Sequence, residues 1–396
     1  MAELAPLQLK DKADRRLKKG HLWIYSNEVN TQATPLKLFE SGQQVEVLGD
    51  KGKSLGVATV NPNGLLCARL VSRDVRHPLT KSLLVHRINQ ALSLRQALFA
   101  EPCYRLVYGD SDLLPGLVID RFGDYLVVQI ASAGMERVKQ EIAEALTQCL
   151  NPKGILFKND HGARELEGLG SEVFSVGEVP DYVELIENQV TFLAPLKDGQ
   201  KTGWFYDHRE NRRYLQHLVK DKRVLDVFSY IGGWGIQAAV AGASDVFCLD
   251  ASAFALDTLI ANAAHNGVAD KVAAIEGKAQ QALKALIEDG ERFDVVVMDP
   301  PAFIKRKKDQ KSGEAAYYHC NELAMRLLSK DGLLVSASCS MHLPRERLTE
   351  LLRASSRHLD RNLQIFHQGG QGPDHPIHPA ITETDYLKAQ FARVYR

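Results

Sequence analysis

The chain has 396 residues, more than one hydrophobic core usually supports, so two or three domains are expected. Lys plus Arg and Asp plus Glu both total 49, which excludes a bulk polybasic nucleic-acid binder but leaves room for local basic patches. Six scattered cysteines without C-x-x-C spacing exclude a zinc framework and a disulfide scaffold. The start is too charged for a signal peptide and no apolar run reaches membrane-spanning length, so a cytoplasmic protein without a membrane partner is expected.

Residues 1–76 read as a small β-rich unit. "QQVEVLGD", "KSLGVATVNP" and "LLCARLVSR" are short β-branched runs separated by turn residues. Ahead of them, Lys10, Arg15, Arg16, Lys18 and Lys19 precede Trp23 and Tyr25. On residues alone this is a solvated helix face followed by a core aromatic pair, with a phosphate-binding patch as the alternative. Residues 77–185 read as an α+β segment. Helical spacing over about 77–100 is followed by two strands, a helix near 134–150 and "GILFKND". "DYVELIENQVTFLAPL" then reads as a hairpin turning at Glu187-Asn188.

From about 216 the pattern becomes strand–helix alternation, predicting a parallel sheet with helices on both faces. The strands are "RVLDVFS", "DVFCLDAS", "KVAAIEGK", "FDVVVMDPP" and "GLLVSASCS", with helices near 234–241, 252–265, 279–289 and 314–329. Ligands of such sheets bind at the carboxyl ends of the strands. The first strand runs into Gly232, Gly233 and Gly235, which is not G-x-G-x-x-G, so a nicotinamide dinucleotide is disfavoured. Asp226 before the loop suits a cationic ligand, and Asp250, ending the second strand, is placed for a ribose diol. Together they suit S-adenosylmethionine. The fourth strand ends in Asp299-Pro300-Pro301, where two residues without N–H force the chain out of the ladder and fix Asp299 at its edge. There Asp299 can accept a hydrogen bond from a base, and Phe303 offers a stacking surface.

With "VLDVFSYIGG", "LDAS", "MDPPAF" and "SASCS" in order, the C-terminal half resembles a class I S-adenosylmethionine-dependent methyltransferase. The whole chain resembles the ribosomal RNA large-subunit methyltransferase I family, and "KDGQKTGWFYDHRENR" (197–212) is similar to that family's signature. The resemblance implies three domains. A PUA-like β-barrel occupies 1–76, a small α+β domain 77–185, and a Rossmann-like α/β methyltransferase domain 186–396. It implies cytosine-C5 methylation of 23S rRNA, turns the basic stretch at 10–19 into an RNA contact, and makes a homodimer compatible. It gives the cofactor shell as Asp226, Phe228, Ser229, Tyr230, Gly232, Gly233, Asp250, Ser252 and Asp299. Three positions depart from the family pattern: Ile231 before Gly-Gly, Lys278 where an adenine-reading acid is common, and His208 where Gln is common.

Cytosine C5 is a poor nucleophile until a thiolate adds to C6, so the chemistry needs an activated cysteine. Cys339, between Ser338 and Ser340 at the end of the fifth strand, is the expected nucleophile, with the serines leaving room for the base. Asp299 is expected to hydrogen-bond or protonate N3. Lys305 to Lys308 and Arg345 are the candidate sources of thiolate stabilisation. Lys305, Arg306 and Lys307 are also candidate contacts to RNA phosphates. Cys248 and Cys320 read as packing residues, and His375 and His378 lack further ligands, so no metal is expected. The alternatives are methylation of a base nitrogen, which needs no thiol, and an inactive RNA-binding module.

Overall fold

The computed structural model describes residues 4–396. The chain divides into two compact units: Met1–Val183 with Pro195–Trp204 and Pro373–Thr384, and Glu184–Ala194 with Phe205–Gly372 and Asp385–Arg396. The first unit holds two five-stranded sheets. One is ordered Ala5–Gln8, Gln43–Leu48, Ser54–Val60, Leu66–Ser72, Trp23–Tyr25. Its core is Leu7, Ile24, Val45, Val47, Val60 and Leu70. The other runs from Glu172–Gly177 through Gly154–Asn159, Tyr125–Ile130 and Leu117–Phe122 to Cys103–Tyr108. Helices Lys81–Leu98 and Lys139–Leu150 pack against each other, and their apolar faces join this second core.

The second unit is built on a seven-stranded sheet. We label its strands β1 (Arg223–Val227), β2 (Asp245–Asp250), β3 (Val272–Glu276), β4 (Phe293–Met298), β5 (Leu328–Ser338), β6 (Asn362–Gly369) and β7 (Lys388–Tyr395). Their order is β3-β2-β1-β4-β5-β7-β6. β1 to β5 pair in parallel, while β7 pairs antiparallel with both β5 and β6. The sheet is therefore mixed, and its last two strands go beyond the parallel array expected from the sequence. β1 and β4 are central and buried along almost their whole length, as strands covered on both faces must be. Successive strands run outward from β1 in opposite directions, to β2 and β3 on one side and to β4 and β5 on the other, so the switch point lies at the carboxyl ends of β1 and β4.

Two local expectations change. The hairpin turns at Asn188 and Gln189, with φ of 53° and 67°, one residue later than expected. A two-residue turn with both residues left-handed follows the twist of the flanking strands. Glu187 is instead a buried strand residue whose carboxylate receives Arg212 Nη1 at 2.8 Å and Gln237 Nε2 at 2.9 Å. The helix expected at 314–329 spans Gln310–Leu327 and leads straight into β5.

Candidate active site

The loop after β1 is tied down from within. Asp226 is fully buried, and its Oδ2 accepts the Gly235 N–H at 2.9 Å. A Cβ on Gly235 would stand 2.4 Å from Cys248 Sγ, so only glycine lets the loop close over the strand. Gly232 has φ of 90°, and a Cβ there would meet Ile236 at 2.6 Å. Phe228 and Tyr230 hold φ of 66° and 49°, a left-handed backbone that costs energy in non-glycine residues and is held by neighbouring bonds. Tyr230 N–H donates to Asp250 Oδ2 and Ser252 N–H to Asp250 Oδ1, both at 2.9 Å. Ser252 Oγ in turn caps the helix Ala253–His265 by accepting from Ala255 N.

Two buried atoms of this loop, Asp226 Oδ1 and Ser229 Oγ, have no hydrogen-bond partner within the described residues. Burial pushes the Asp226 carboxyl up to about 7. A buried acid with an unanswered oxygen, next to an unanswered hydroxyl, is complementary to an ammonium-bearing ligand. Asp250 spends one lone pair per oxygen on the loop amides and remains partly exposed, so it keeps acceptor capacity for ribose hydroxyls. The residues present therefore fit S-adenosylmethionine: Asp226 and Ser229 for the amino-acid end, and Asp250 for the ribose.

Asp299 follows β4 directly. Trp234 Nε1 donates to its Oδ2 at 3.0 Å, and His208 Nε2 stands 3.1 Å from its Oδ1. Burial alone would raise the Asp299 pKa, but the His208 contact and the Trp234 hydrogen bond outweigh it and hold the carboxyl below its ordinary value. The ring orientation of His208 follows from its other side. Asn211 Nδ2 donates to Gly370 O at 2.9 Å, which fixes the amide orientation, and the same nitrogen is 3.0 Å from His208 Nδ1. Nδ1 is then on the accepting side, and Nε2 is the ring nitrogen that faces Asp299 Oδ1. Asp299 is accordingly an ionised acceptor. His208, conspicuous in the sequence only as a departure, is part of the site, and Trp234 was missed because nothing in the glycine loop marks its indole as a donor.

The turn after β5 differs in character. Ser338 and Ser340 are buried, and both bond the hydroxyl of buried Tyr317, at 2.9 Å and 2.8 Å. Ser340 Oγ also accepts Ile304 N–H, and Ser340 N–H donates to Ser338 Oγ, both at 3.2 Å. The serines therefore lock the backbone instead of leaving room for the base. Between them Cys339 is only half-buried, while Cys248 and Cys320 are fully buried. Phe303 is tilted against Tyr317 at 4.8 Å and edge-on to Phe228 at 6.4 Å, so a chain of rings joins the β1 loop to the cysteine turn.

The cation coupled to Cys339 is Lys388 at the start of β7. Its Nζ donates to Ser340 O at 2.6 Å and Tyr386 O at 2.7 Å. Burial lowers its pKa to about 8, against an opposing pull from Cys339. Lys305, Arg306, Lys307 and Lys308 are exposed on the loop after Ile304, whose N–H bonds Ser340 Oγ, and Arg345 acts electrostatically on Lys388. Lys388 was missed because the two C-terminal strands were. Lys278 is the residue before the helix Ala279–Glu288, and its position carries no acid for adenine.

The basic N-terminal stretch is partly neutralised. Arg16 pairs with Glu28 at 2.8 Å and lies over the Tyr25 ring, Lys18 pairs with Asp14, and Lys10 Nζ donates to Asn27 O. Arg15 and Lys19 are exposed. Trp23 is not a simple core residue, since its Nε1 donates to Asp110 Oδ1 at 2.8 Å. Among the described residues no cluster of His, Cys, Asp and Glu could hold a metal ion, and no helix is long and apolar enough to cross a membrane.

The sheet order, the glycine loop with its two aspartates and the Asp-Pro-Pro strand end define an S-adenosylmethionine-dependent methyltransferase. The family model of that description matches residues 167–317, and a PUA-like domain model matches residues 7–73. "Ribosomal RNA large subunit methyltransferase I" of Aliivibrio fischeri is 34% identical over 387 residues, covering 96% of this chain and 97% of the relative. The protein of the same name from Vibrio cholerae is 34% identical over 390 residues, with the same coverage. The chain belongs to the ribosomal RNA large subunit methyltransferase I family. In fold it matches the crystal structure of SMU.776, a methyltransferase complexed with SAH, at TM-score 0.84 and 20% identity over 98% of this chain and 100% of that one. A more distant match in fold is Trm5b from Pyrococcus abyssi, at TM-score 0.53 and 16% identity over 70% of this chain and 75% of that one.

Proposed function

We propose that this protein methylates C5 of a cytosine in 23S rRNA, with Cys339 as the covalent nucleophile. The observation that carries this reading is the half-exposed Cys339 on a locked turn, at the same sheet edge as the ionised Asp299. When bound, the cofactor supplies an electrophilic methyl group. Cys339 Sγ adds to C6 as a thiolate, which loads electron density onto C5. Asp299 accepts from the 4-amino group and orients the ring. After C5 is methylated, a general base takes the C5 proton, the C6–S bond breaks, and Cys339 leaves as a thiolate, which restores the aromatic base. Lys388 supplies the nearby positive charge that favours the thiolate. The 1–76 segment, with Arg15 and Lys19 outward, and the loop bearing Lys305, Arg306 and Lys307 are read as phosphate contacts. A protein acting on rRNA is read as cytoplasmic.

One observation favours a second reading. An ionised Asp299 beside Pro300 and Phe303 is also suited to accept from an exocyclic amine during nitrogen methylation, which needs no thiol. Bisulfite mapping of 23S rRNA with and without the protein tests the first reading. A single cytosine that loses protection when the protein is absent is the expected result. Methylation appearing at a guanine or adenine nitrogen would replace it with the second.

A further inference from the structure

A cavity opens at the same edge of the sheet as Asp299 and Cys339. β6 is antiparallel to β7, and β7 is antiparallel to β5, so β6 runs in the direction of β4 and β5. Its last residue, Gly369, therefore emerges at the carboxyl edge. There the segment 367–371 and the helix Arg209–Gln216 line an open cavity of about 320 Å³. Two side chains join it to the active site: Asn211 holds both Gly370 O and His208 Nδ1, and His208 stands on Asp299. The approach is close. A Cβ on Gly369 would fall 1.8 Å from Asn211 Oδ1.

The cavity has the chemistry of a base-binding site. Tyr214 and His367 are stacked with ring centroids 3.8 Å apart and planes 21° from parallel. Buried Phe391 stands edge-on to both, at 5.0 Å and 5.2 Å. Packing accounts for Phe391, but Tyr214 and His367 are only half-buried at the lip of a cavity. Burial lowers the pKa of His367, which keeps its ring neutral and stackable near pH 7. Arg213, which stands 3.7 Å from Glu210 on the same rim, completes it with His217 and Gln368, giving a cation and hydrogen-bonding edges. Single-stranded RNA is recognised by such a set: a π face for the base, polar edges for its rim, a cation for the phosphate. An enzyme that extrudes one base from its stack leaves a neighbour without a stacking partner.

We propose that this cavity, floored by Tyr214 and His367, holds the nucleobase adjacent to the target cytosine in the RNA strand. The proposal rests on the RNA reading above. Its test uses the full-length protein and fragments of 23S rRNA containing the mapped cytosine, each with one abasic ribose on either side of it. Wild-type methyl transfer should fall about tenfold in kcat/KM for an abasic site at one flanking position and little at the others. His367→Ala should lose about tenfold on intact RNA and show no further loss with that abasic fragment, while His367→Phe should keep the wild-type pattern. Unchanged melting temperature and SAH affinity would establish that His367→Ala is folded. Indifference of the wild type to every flanking abasic site, or losses in His367→Ala that simply multiply with the abasic loss, would overturn the proposal. Absence of methyl transfer to any intact RNA would instead overturn the RNA reading on which it stands.

Discussion

The ends of β4 and β5 are neighbours with opposite constructions. At β4 the functional group itself is fixed: Asp299 is held by Trp234 and His208, which pull its pKa below the ordinary value against the effect of burial. At β5 the backbone is fixed and the functional group is left accessible, because Ser338, Ser340 and Tyr317 spend their hydrogen bonds on one another around half-exposed Cys339. An acceptor that orients a base gains from being immobile and desolvated. A nucleophile that must add and leave needs a firm base and an open approach.

The largest expected effect breaks the β5 side. Cys339→Ala should lower methyl transfer to cytosine by about 10³-fold or more, with SAH affinity retained in calorimetry. Asp299→Asn should cost about 10²-fold in kcat/KM, since the amide presents a neutral acceptor in place of a charged one. His208→Ala acts on the same carboxylate. The folded-state pKa of Asp299 lies below its ordinary value, so its ionised form persists to low pH; removing His208 should raise that pKa and move the acid limb of the kcat/KM profile upward.

Asp226→Asn should show two opposite effects. Binding of the cofactor should weaken by about tenfold or more in titration, through loss of the charge that faces the ammonium. Stability without ligand should respond the other way. The native state keeps the Asp226 proton up to about pH 7, whereas the unfolded chain loses it near its ordinary value, so wild-type stability falls as pH rises through that window. The amide can still accept from Gly235 N–H but has no such slope, so at pH 8 the variant should be more stable in urea unfolding, by roughly 1–4 kcal/mol. The smallest effect sharpens the comparison. Lys388→Met should reduce iodoacetamide labelling of Cys339 at pH 7 by about fivefold to tenfold, and the wild-type advantage should fade above pH 8 as Lys388 loses its proton.

What the sequence made legible follows from how local each signal is. The strand–glycine–helix punctuation at 223–240, the Asp-Pro-Pro exit and the lone cysteine after an apolar run are all written within a few consecutive residues. The supporting partners are not. His208, Trp234, Tyr317 and Lys388 reach the site from four separate segments, and only the assembled sheet brings them there. β6 and β7 escaped notice because β6 alternates half-buried and exposed residues on an edge, while β7 follows a long loop and reads as isolated apolar residues. The serines beside Cys339 were visible but misread, since their hydrogen-bonding partner lies 21 and 23 residues earlier on a helix.

The covalent role of Cys339 is tested most directly with RNA carrying 5-fluorocytosine at the mapped position. Fluorine at C5 cannot leave as a proton does, so an adduct through C6 is trapped. In the presence of S-adenosylmethionine, wild-type protein should form an RNA-linked species that survives denaturing electrophoresis and maps to Cys339 by mass spectrometry. No such species should form with Cys339→Ala. Cytosine-C5 methylation by Cys339→Ala at the wild-type rate, or a trapped adduct on another residue, would contradict the account.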